Sequence, residues 1–215
     1  MKREQDHFAR RAKQEGFPAR SIYKLKEIQE KYQFLRPGDK VIDLGCFPGS
    51  WLKYLGDLLG PKGFVLAYDI QELEISPPPN TRFIRADVFS LTPQLVAAEG
   101  TRWNALVSDM APSTTGQKVT DSERSFALCN QALELAEGLV RQGGCCLVKS
   151  LQGVAHERLL KRMRSLYKSV KTVKPQGTRV ESKEVFLLGQ GKLSPPSALL
   201  PATQSGEAAN QEEAT

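Results

Sequence analysis

The fold is decided by the stretch Lys40-Val41-Ile42-Asp43-Leu44-Gly45-Cys46-Phe47-Pro48-Gly49-Ser50-Trp51. Its largely apolar run, residues 41–44, predicts a short strand buried on both faces of a parallel sheet. Residues 45–49 form a glycine-bounded turn, and apolar side chains at helical spacing predict a helix over residues 50–59. A strand, a glycine turn and a helix in this order form the nucleotide-binding corner of a doubly wound α/β sheet.

The turn indicates which ligand the corner binds. Its pattern, D-x-G-x-x-P-G, lacks the middle glycine of the dinucleotide fingerprint G-x-G-x-x-G. Gly45 and Gly49 let a ligand approach the backbone, and Pro48 stiffens the turn. Asp43 places a carboxylate where a pyrophosphate would be repelled. This combination favours a ligand with a cationic centre and an amino group, such as S-adenosylmethionine; a strand-turn-helix corner without a cofactor is the alternative.

The length and charge of the chain restrict its class. Its 215 residues, 40% of them hydrophobic, suit one domain with a proper core. The net charge is +6, and residues 194–215 contain three acidic and no basic residues, so the rest of the chain carries +9. Such a surplus favours a polyanionic partner, most simply a nucleic acid, with a generally basic soluble enzyme as the alternative.

Cysteine, histidine and hydropathy patterns disfavour several other classes. The four cysteines form no C-x-x-C pair and the chain has two histidines, so a zinc site is not expected. Buried reduced thiols in a cytosolic protein are expected instead. No apolar run approaches membrane-spanning length, and the basic N-terminus lacks the apolar core of a signal peptide. The protein is therefore predicted to be cytoplasmic, with no membrane contact and no metal.

Outside the corner, strand and helix patterns alternate. Strands are predicted over residues 64–68, 81–85, 103–108 and 145–148, and helices over residues 21–32, 92–99 and 157–167. Thr120-x-x-Glu123 is a plausible capping box for a long amphipathic helix, which Gly143-Gly144 is predicted to end. Two last strands, residues 170–173 and 184–188, are predicted to pair antiparallel at the sheet edge.

Both ends of the chain differ from this domain, which is predicted to span residues 21–193. Residues 1–20 combine six basic residues with Phe8 and Phe17, a mixture that suits contact with the phosphates and unstacked bases of RNA. A frayed, solvated terminus is the alternative for this segment. Residues 194–215 are dominated by Pro, Ala, Ser, Gln and Glu and are predicted to be disordered.

Ionisable residues follow the strand ends, where an open parallel sheet binds its ligands. Asp69 follows the second strand, about 20 residues beyond the glycine turn, where such folds use a carboxylate on ribose hydroxyls. Asp87 follows the third strand and is predicted to lie near the adenine. Asp109 and Lys149 follow the fourth and fifth strands, so they are predicted to be neighbours at one rim of the sheet.

These features together resemble the FtsJ-type ribosomal RNA 2′-O-methyltransferases. The matching residues are Ser21-Ile22-Tyr23-Lys24-Leu25, Asp43-Leu44-Gly45, Pro48-Gly49-Ser50-Trp51, Ser108-Asp109-Met110-Ala111-Pro112, Val148-Lys149 and Ser182-Lys183-Glu184-Val185-Phe186. They follow the family's order and spacing over most of the chain, and together they are far more specific than any one of them alone.

The resemblance implies a Rossmann-like class I S-adenosylmethionine-dependent methyltransferase fold with a seven-stranded, mostly parallel sheet. It implies a catalytic tetrad of Lys24, Asp109, Lys149 and Glu184. It also implies cofactor contacts by Gly49, Trp51, Asp69, Asp87 and Asp109, to which the turn adds Asp43, Gly45 and Pro48. Family members of bacterial type act on a uridine in the A loop of 23S ribosomal RNA within the large subunit, so this partner and a monomeric protein are expected.

Two residues depart from the family pattern. Ser50 stands where the family usually has a second glycine, and Phe186 stands where it usually has a tyrosine, so any role of that hydroxyl is absent. Glu181 is a nearby rival for Glu184, although strand residues three apart lie on opposite faces. Neither departure touches the tetrad.

The implied chemistry assigns a role to each member of the tetrad. Lys149 would remove the proton of a ribose hydroxyl, which requires its neutral form, and the charge of Lys24 would favour that form. Asp109 would orient Lys149, and Glu184 would orient Lys24 or the ribose. Two other functions stay open: the same chemistry on transfer RNA or a messenger RNA cap, and a non-catalytic RNA-binding assembly factor.

Overall fold

The computed structural model describes residues 2–97, 102–112, 118–176, 178 and 182–194. Its helices are α1 (Lys2–Gln14), α2 (Ile22–Tyr32), α3 (Ser50–Leu59), α4 (Pro93–Ala97), α5 (Lys118–Leu139) and α6 (Val154–Leu166). Its strands are β1 (Lys40–Leu44), β2 (Phe64–Asp69), β3 (Thr81–Arg85), β4 (Trp103–Ser108), β5 (Val140–Leu151), β6 (Tyr167–Val173) and β7 (Glu184–Lys192). A 3₁₀ turn, Val88–Ser90, lies between β3 and α4.

The strands form one seven-stranded sheet in the order β3-β2-β1-β4-β5-β7-β6. β1 to β5 pair in parallel, and β7 pairs antiparallel with both β5 and β6. The predicted mostly parallel sheet with an antiparallel edge hairpin is therefore confirmed. The strand order reverses between β1 and β4, and ligands bind at the carboxyl ends of the strands at such a switch point.

Each face of the sheet has its own helix layer, because successive strand residues point to opposite faces. Cys146 and Val148 of β5 pack in the core beneath α5 and α6. Leu147 of β5 packs in the other core, with α2 and α3. Lys149 continues the series of Leu147, so it extends from the α2 face of the sheet.

The chain before α2 packs onto the domain. Ala12 and Phe17 are buried in a small cluster with Ile22 and Tyr23. The Lys53 ammonium of α3 donates a 2.7 Å hydrogen bond to the Gly16 carbonyl. Residues 12–20 are therefore held against α2 and α3 instead of fraying, whereas the predicted division of the chain at residue 20 stays a prediction.

Some boundaries differ from the predicted ones for local reasons. α5 begins two residues before Thr120, which thus lies inside the first turn, so the predicted capping box is wrong. β5 begins at Val140 because Gly143, with φ of +77°, lets the strand absorb a register shift against β4 and continue. β6 begins at Tyr167 because Gly189 of β7 leaves room for its ring; a Cβ at Gly189 would lie 2.6 Å from it.

A buried ammonium group terminates α5. The Lys192 Nζ, at the end of β7, donates to the carbonyl oxygens of Ala136 at 3.0 Å, Val140 at 2.6 Å and Glu137. The last carbonyls of a helix lack intrahelical partners, and a cation suits the negative end of the helix dipole. Burial lowers the pKa of Lys192. This contact joins residues at least 52 positions apart, which is why no local pattern indicated it.

Two further predictions concern membrane contact and the C-terminal residues. Within the described ranges, no helix is both long enough and apolar enough to cross a membrane. The predicted disorder of residues 194–215 falls outside the described residues, apart from Ser194.

Candidate active site

The sheet register brings Asp109 and Lys149 together. Leu44, Ser108 and Val148 are register partners across β1, β4 and β5, so the residues that follow Ser108 and Val148 meet at the rim. The Lys149 Nζ lies 3.0 Å from Oδ1 of Asp109 as an ion pair, and it also donates a hydrogen bond to the Asp109 backbone carbonyl. Oδ1 of Asp109 accepts no hydrogen bond from the described residues, which leaves an acceptor position beside the lysine.

Lys24 and Glu184 form a second ion pair at the same rim. The Lys24 Nζ, on α2, lies 3.1 Å from Oε2 of Glu184 at the start of β7. The Lys24 side chain is 11% exposed, so most of its surface is withdrawn from water. Burial raises the pKa of Glu184, but the charges of Lys24 and Lys149 outweigh that effect, so the pKa lies below its ordinary value. Both lysines are therefore close enough to lower the pKa of Glu184, and the four predicted catalytic residues lie in one group. The rival Glu181 lies outside the described residues.

A cleft opens beside the Asp109–Lys149 pair. It encloses about 580 Å³ between the ends of β1, β2, β3 and β4, and Asp109 lines it together with Gly45, Asp69 and Asp87 of the predicted cofactor residues. Apolar side chains complete its walls, among them Ile70, Val88, Met110 and Leu128. An apolar cleft with a few converging carboxylates is typical of a small-ligand site.

The carboxylates of the cleft are held by the backbone. Asp69 accepts N–H groups of Phe47 and Gln71, each at 2.9 Å, so it links the glycine turn to the end of β2. Asp87 accepts the N–H of Phe89 at 3.0 Å. A carboxylate oxygen has two acceptor positions, so these bonds fix each side chain and leave it able to accept ligand hydroxyl or amino groups.

Asp43 is the least satisfied polar residue of the site. It is fully buried, and neither of its carboxylate oxygens has a hydrogen-bond partner among the described residues. Burial raises its pKa well above the ordinary value, and the charges of Asp109 and Asp69 add to this. An unpaired buried carboxylate is costly, so its presence points to a missing cationic or hydrogen-bond-donating group nearby.

The remaining predicted cofactor residues support the turn and do not line the cleft. Gly49 has φ of +115°, and a Cβ there would lie 2.5 Å from Ile75. Pro48 follows a cis peptide bond. Trp51 is buried, its ring centroid lies 5.8 Å from that of Phe186, and its indole N–H donates to the Ser21 carbonyl at 3.0 Å. Direct ligand contact by these three residues stays a prediction.

Two supporting contacts were not predicted. The Cys129 thiol of α5 donates to the carbonyl of Lys149 at 2.7 Å and fixes the backbone that carries the lysine. The Ser50 hydroxyl accepts the Ala19 N–H at 2.7 Å and donates to the Ala19 carbonyl at 3.1 Å. Both contacts join residues far apart in sequence, and the only signal was that Ser50 departs from the family glycine.

The described residues contain no group of His, Cys, Asp and Glu that could hold a metal ion.

A family model for FtsJ-like methyltransferases matches residues 17–192. The chain belongs to the FtsJ-like methyltransferase family. Family membership confirms the resemblance inferred from the motifs, and it makes the protein a methyltransferase.

Relatives of this chain align with it over most of its length. The ribosomal RNA large subunit methyltransferase E of Oleidesulfovibrio alaskensis is 45% identical over 193 residues, which cover 89% of this chain and 93% of that protein. The protein of the same name from Desulforapulum autotrophicum is 42% identical over 187 residues, covering 87% of this chain and 92% of its own length.

Solved structures show the same fold. A putative ribosomal RNA methyltransferase of Plasmodium falciparum superposes with a TM-score of 0.70 at 24% identity, covering 83% of this chain and all of that one. Fibrillarin of Aeropyrum pernix, solved with natively bound S-adenosyl-L-methionine, superposes with a TM-score of 0.56 at 17% identity, covering 79% of this chain and 76% of that one. The fold of this FtsJ-like chain is thus the Rossmann-like methyltransferase fold.

The cleft fits the methyl donor of this family, S-adenosylmethionine. Gly45 lies so close to Met110 that a Cβ would be 2.6 Å from its side chain, so the backbone itself forms the cleft wall there. Asp69, Asp87 and Asp109 line the cleft, and carboxylate oxygens suit the cationic and hydroxyl groups of such a ligand. The cofactor group that each carboxylate contacts stays a prediction.

Proposed function

We propose that this FtsJ-like protein transfers a methyl group from S-adenosylmethionine to a ribose 2′-hydroxyl of large-subunit ribosomal RNA. The observation that carries the proposal is the Lys149–Asp109 ion pair at the rim of an acid-lined cleft, with Lys24–Glu184 beside it. Two cations next to a cofactor cleft suit a reaction that removes a proton from a neutral hydroxyl. The names of the relatives supply the RNA class.

Lys149 is the proposed base. A ribose hydroxyl is a weak nucleophile near neutral pH, so a positioned group must take its proton as the oxygen attacks. The bound cofactor supplies an electrophilic methyl group on a positively charged sulfur. The Asp109 ion pair and the Cys129 thiol hold the two ends of Lys149 in place, one at the ammonium and one at the backbone carbonyl.

Lys24 and Glu184 are proposed to orient the groups around this base. Lys24 contributes a second ammonium group to the catalytic residues. Glu184 fixes Lys24 through the 3.1 Å ion pair, and its partly exposed carboxylate can also accept a ribose hydroxyl. The Lys24 Nζ lies 5.9 Å from the ring centroid of Phe186, so position 186 contributes an aromatic ring and no tyrosine hydroxyl.

Cofactor residues are assigned by the chemistry of their side chains. Asp69 is proposed to accept the ribose hydroxyls of S-adenosylmethionine, and Asp87 to lie near its adenine. Asp43 is proposed to compensate the charge of the amino group, directly or through water. Gly45 and Gly49 shape the turn around the ligand.

The finer substrate assignment follows the same family. We propose that the methylated nucleotide is a uridine in the A loop of 23S ribosomal RNA, and that the protein acts on the large subunit as a monomer in the cytoplasm. Mapping of 2′-O-methylation in ribosomal RNA from cells with and without the gene tests this assignment. Loss of one ribose methyl group in large-subunit RNA is expected, whereas an unchanged map together with undermethylated transfer RNA or caps would overturn it.

A further inference from the structure

The positive charge of the protein is concentrated in one segment. Residues 158–174 contain seven Lys and Arg residues and no Asp or Glu. The whole chain has a net charge of +6, so without this segment the remainder would carry −1. The basic character that indicated a nucleic-acid partner therefore resides in α6, β6 and the residues just after β6.

The fold displays part of this charge on α6 and on β6, the edge strand that follows it directly. Lys168 and Lys171 are three residues apart in β6, so their side chains project from opposite sides of this edge. Lys161 and Arg164 lie on α6, and Lys168 and Lys171 lie on β6, the edge strand of the sheet. All four side chains are exposed. In the part of the chain that the structure describes, none of the four side chains forms an ion pair, a hydrogen bond or a ring contact. We call these four residues the basic edge.

Two other basic residues, one in α1 and one in α6, are already engaged. Arg11 pairs with Glu15 at 2.7 Å and lies over the Tyr23 ring. Arg162 donates to the Asn130 side chain at 2.6 Å and pairs with Glu137 at 2.9 Å. A polyanion would have to displace these partners, whereas it meets the basic edge without breaking any described contact.

The basic edge extends outward from the active site. Lys149, Phe186 and Val173 are successive register partners across β5, β7 and β6. The end of β6 therefore lies two strand spacings, about 10 Å, from the proposed base. On α6, Lys161 and Arg164 are separated by about 4.5 Å along the helix axis. An RNA strand with its ribose at Lys149 could thus reach the Lys171 end of β6 first, and Lys168 lies farther away, toward the amino end of that strand.

We propose that the basic edge binds the phosphate backbone of the ribosomal RNA substrate outside the catalytic rim. This inference rests on the proposed function for the identity of the RNA. It assigns phosphate contact to α6 and β6 in place of Arg11 and Arg162. Because the contacts are made with phosphates, the surface contributes affinity and orientation, and it carries no sequence information.

An edge strand also carries lysines for a different reason, since charged residues prevent edge-to-edge aggregation. That reason applies to Lys168 and Lys171 on β6 and leaves the helix residues Lys161 and Arg164 unexplained. The two roles differ in what they predict: protection against aggregation requires no effect on RNA affinity or its salt dependence.

The test replaces all four residues of the basic edge by glutamine in the full-length protein. The matched control replaces four exposed cations at the amino ends of other strands, β1, β2 and β4: Arg36, Lys40, Lys62 and Arg102. RNA affinity is measured by fluorescence anisotropy, at several salt concentrations, on a protein-free transcript of the large-subunit RNA. Both variants lose the same charge, so a difference between them reports position.

Loss of four phosphate contacts should reduce the slope of log affinity against log salt by about 2–3 units, since each contact to single-stranded nucleic acid contributes about 0.7. The KM for RNA should rise by about tenfold or more, with kcat at saturating RNA and the affinity for S-adenosylmethionine unchanged. Equal slopes for the two variants would overturn the proposal, as would aggregation of the basic-edge variant with unaltered RNA binding.

The same experiment separates this surface from the proposed function. If the basic-edge variant shows the reduced salt slope but wild-type protein methylates no ribose in large subunits that lack the modification, the proposed function fails and the surface stands. If wild-type protein methylates the ribose and the basic-edge variant keeps its KM for RNA, the surface fails and the function stands.

Discussion

Replacing Lys149 by arginine separates proton removal from positive charge. Arginine keeps the charge and can pair with Asp109, but it does not give up a proton at accessible pH. Alanine removes both properties. The Asp109 side chain is only 15% exposed, and its Oδ1 lies 3.0 Å from the Lys149 Nζ. Alanine therefore leaves a largely buried carboxylate without its ion partner.

The two substitutions have different expected magnitudes. Loss of a general base slows methyl transfer by about 10²–10⁴-fold, which corresponds to about 3–5 kcal/mol. Alanine should also lower the free energy of unfolding by about 1–3 kcal/mol, less than for a fully buried pair. Arginine should cost about 1 kcal/mol or less in stability. One kcal/mol shifts the melting temperature of a domain of this size by about 2–4 °C.

The assay is single-turnover methyl transfer from labelled S-adenosylmethionine to RNA, with calorimetry for cofactor affinity and thermal unfolding for stability. Lys192→Arg is the matched control, because it places arginine at another buried lysine, in β7, whose ammonium group contacts the end of α5 and lies away from the cleft. It should lower stability and leave the single-turnover rate close to wild type. An Lys149→Arg enzyme within a few-fold of the wild-type rate would refute the base role and leave only an electrostatic one.

Other predictions concern the cofactor site, the supporting contacts and the tail. Asp43→Asn should raise the melting temperature at pH 7 and weaken the binding of S-adenosylmethionine. The pKa of Asp43 is raised in the folded state, so its carboxylate lowers the stability of the fold as pH rises above the unfolded pKa near 3.8; an unchanged melting temperature would contradict this. Asp69→Ala should weaken cofactor binding by about 3–6 kcal/mol in calorimetry, and unchanged affinity would remove it from the site. Ser50→Gly, the family residue, should cost about 1–3 kcal/mol of stability through two lost hydrogen bonds, and Ser50→Ala should match it. A chain cut after Leu193 should keep its melting temperature and activity; a loss of several degrees would show that the tail packs on the domain.

Local sequence patterns were sufficient for the half of the site that comes from parallel strands. Asp109 and Lys149 each follow an apolar strand, and the register of β1, β4 and β5 then brings them together without further information. The same logic placed Asp69 and Asp87 in the cleft. Strand ends in a parallel sheet share one rim by topology, so this part depends only on recognising the strands.

Periodicity did not give the position of Lys24. On the helix pattern it lies beside Tyr23 and off the apolar stripe, where a solvated lysine is the ordinary outcome. In the structure it is buried against Glu184, 160 residues away. Only the family resemblance indicated this partner, because a contact of such sequence separation leaves no local trace. The same reason applies to the contact of Lys192 with the end of α5 and to that of Cys129 with the Lys149 carbonyl.

The contacts of Ser50 and Trp51 connect the cofactor turn to the catalytic group. Both residues begin α3, directly after Gly49, and they hold the backbone of Ala19 and Ser21 through three hydrogen bonds. Ser21 in turn precedes α2, whose first turn carries Lys24. The cofactor turn and the first turn of α2 are therefore joined through the backbone of residues 19–21. Since a glycine at position 50 could make neither hydroxyl contact, two of the three hydrogen bonds of this connection depend on the serine of this chain.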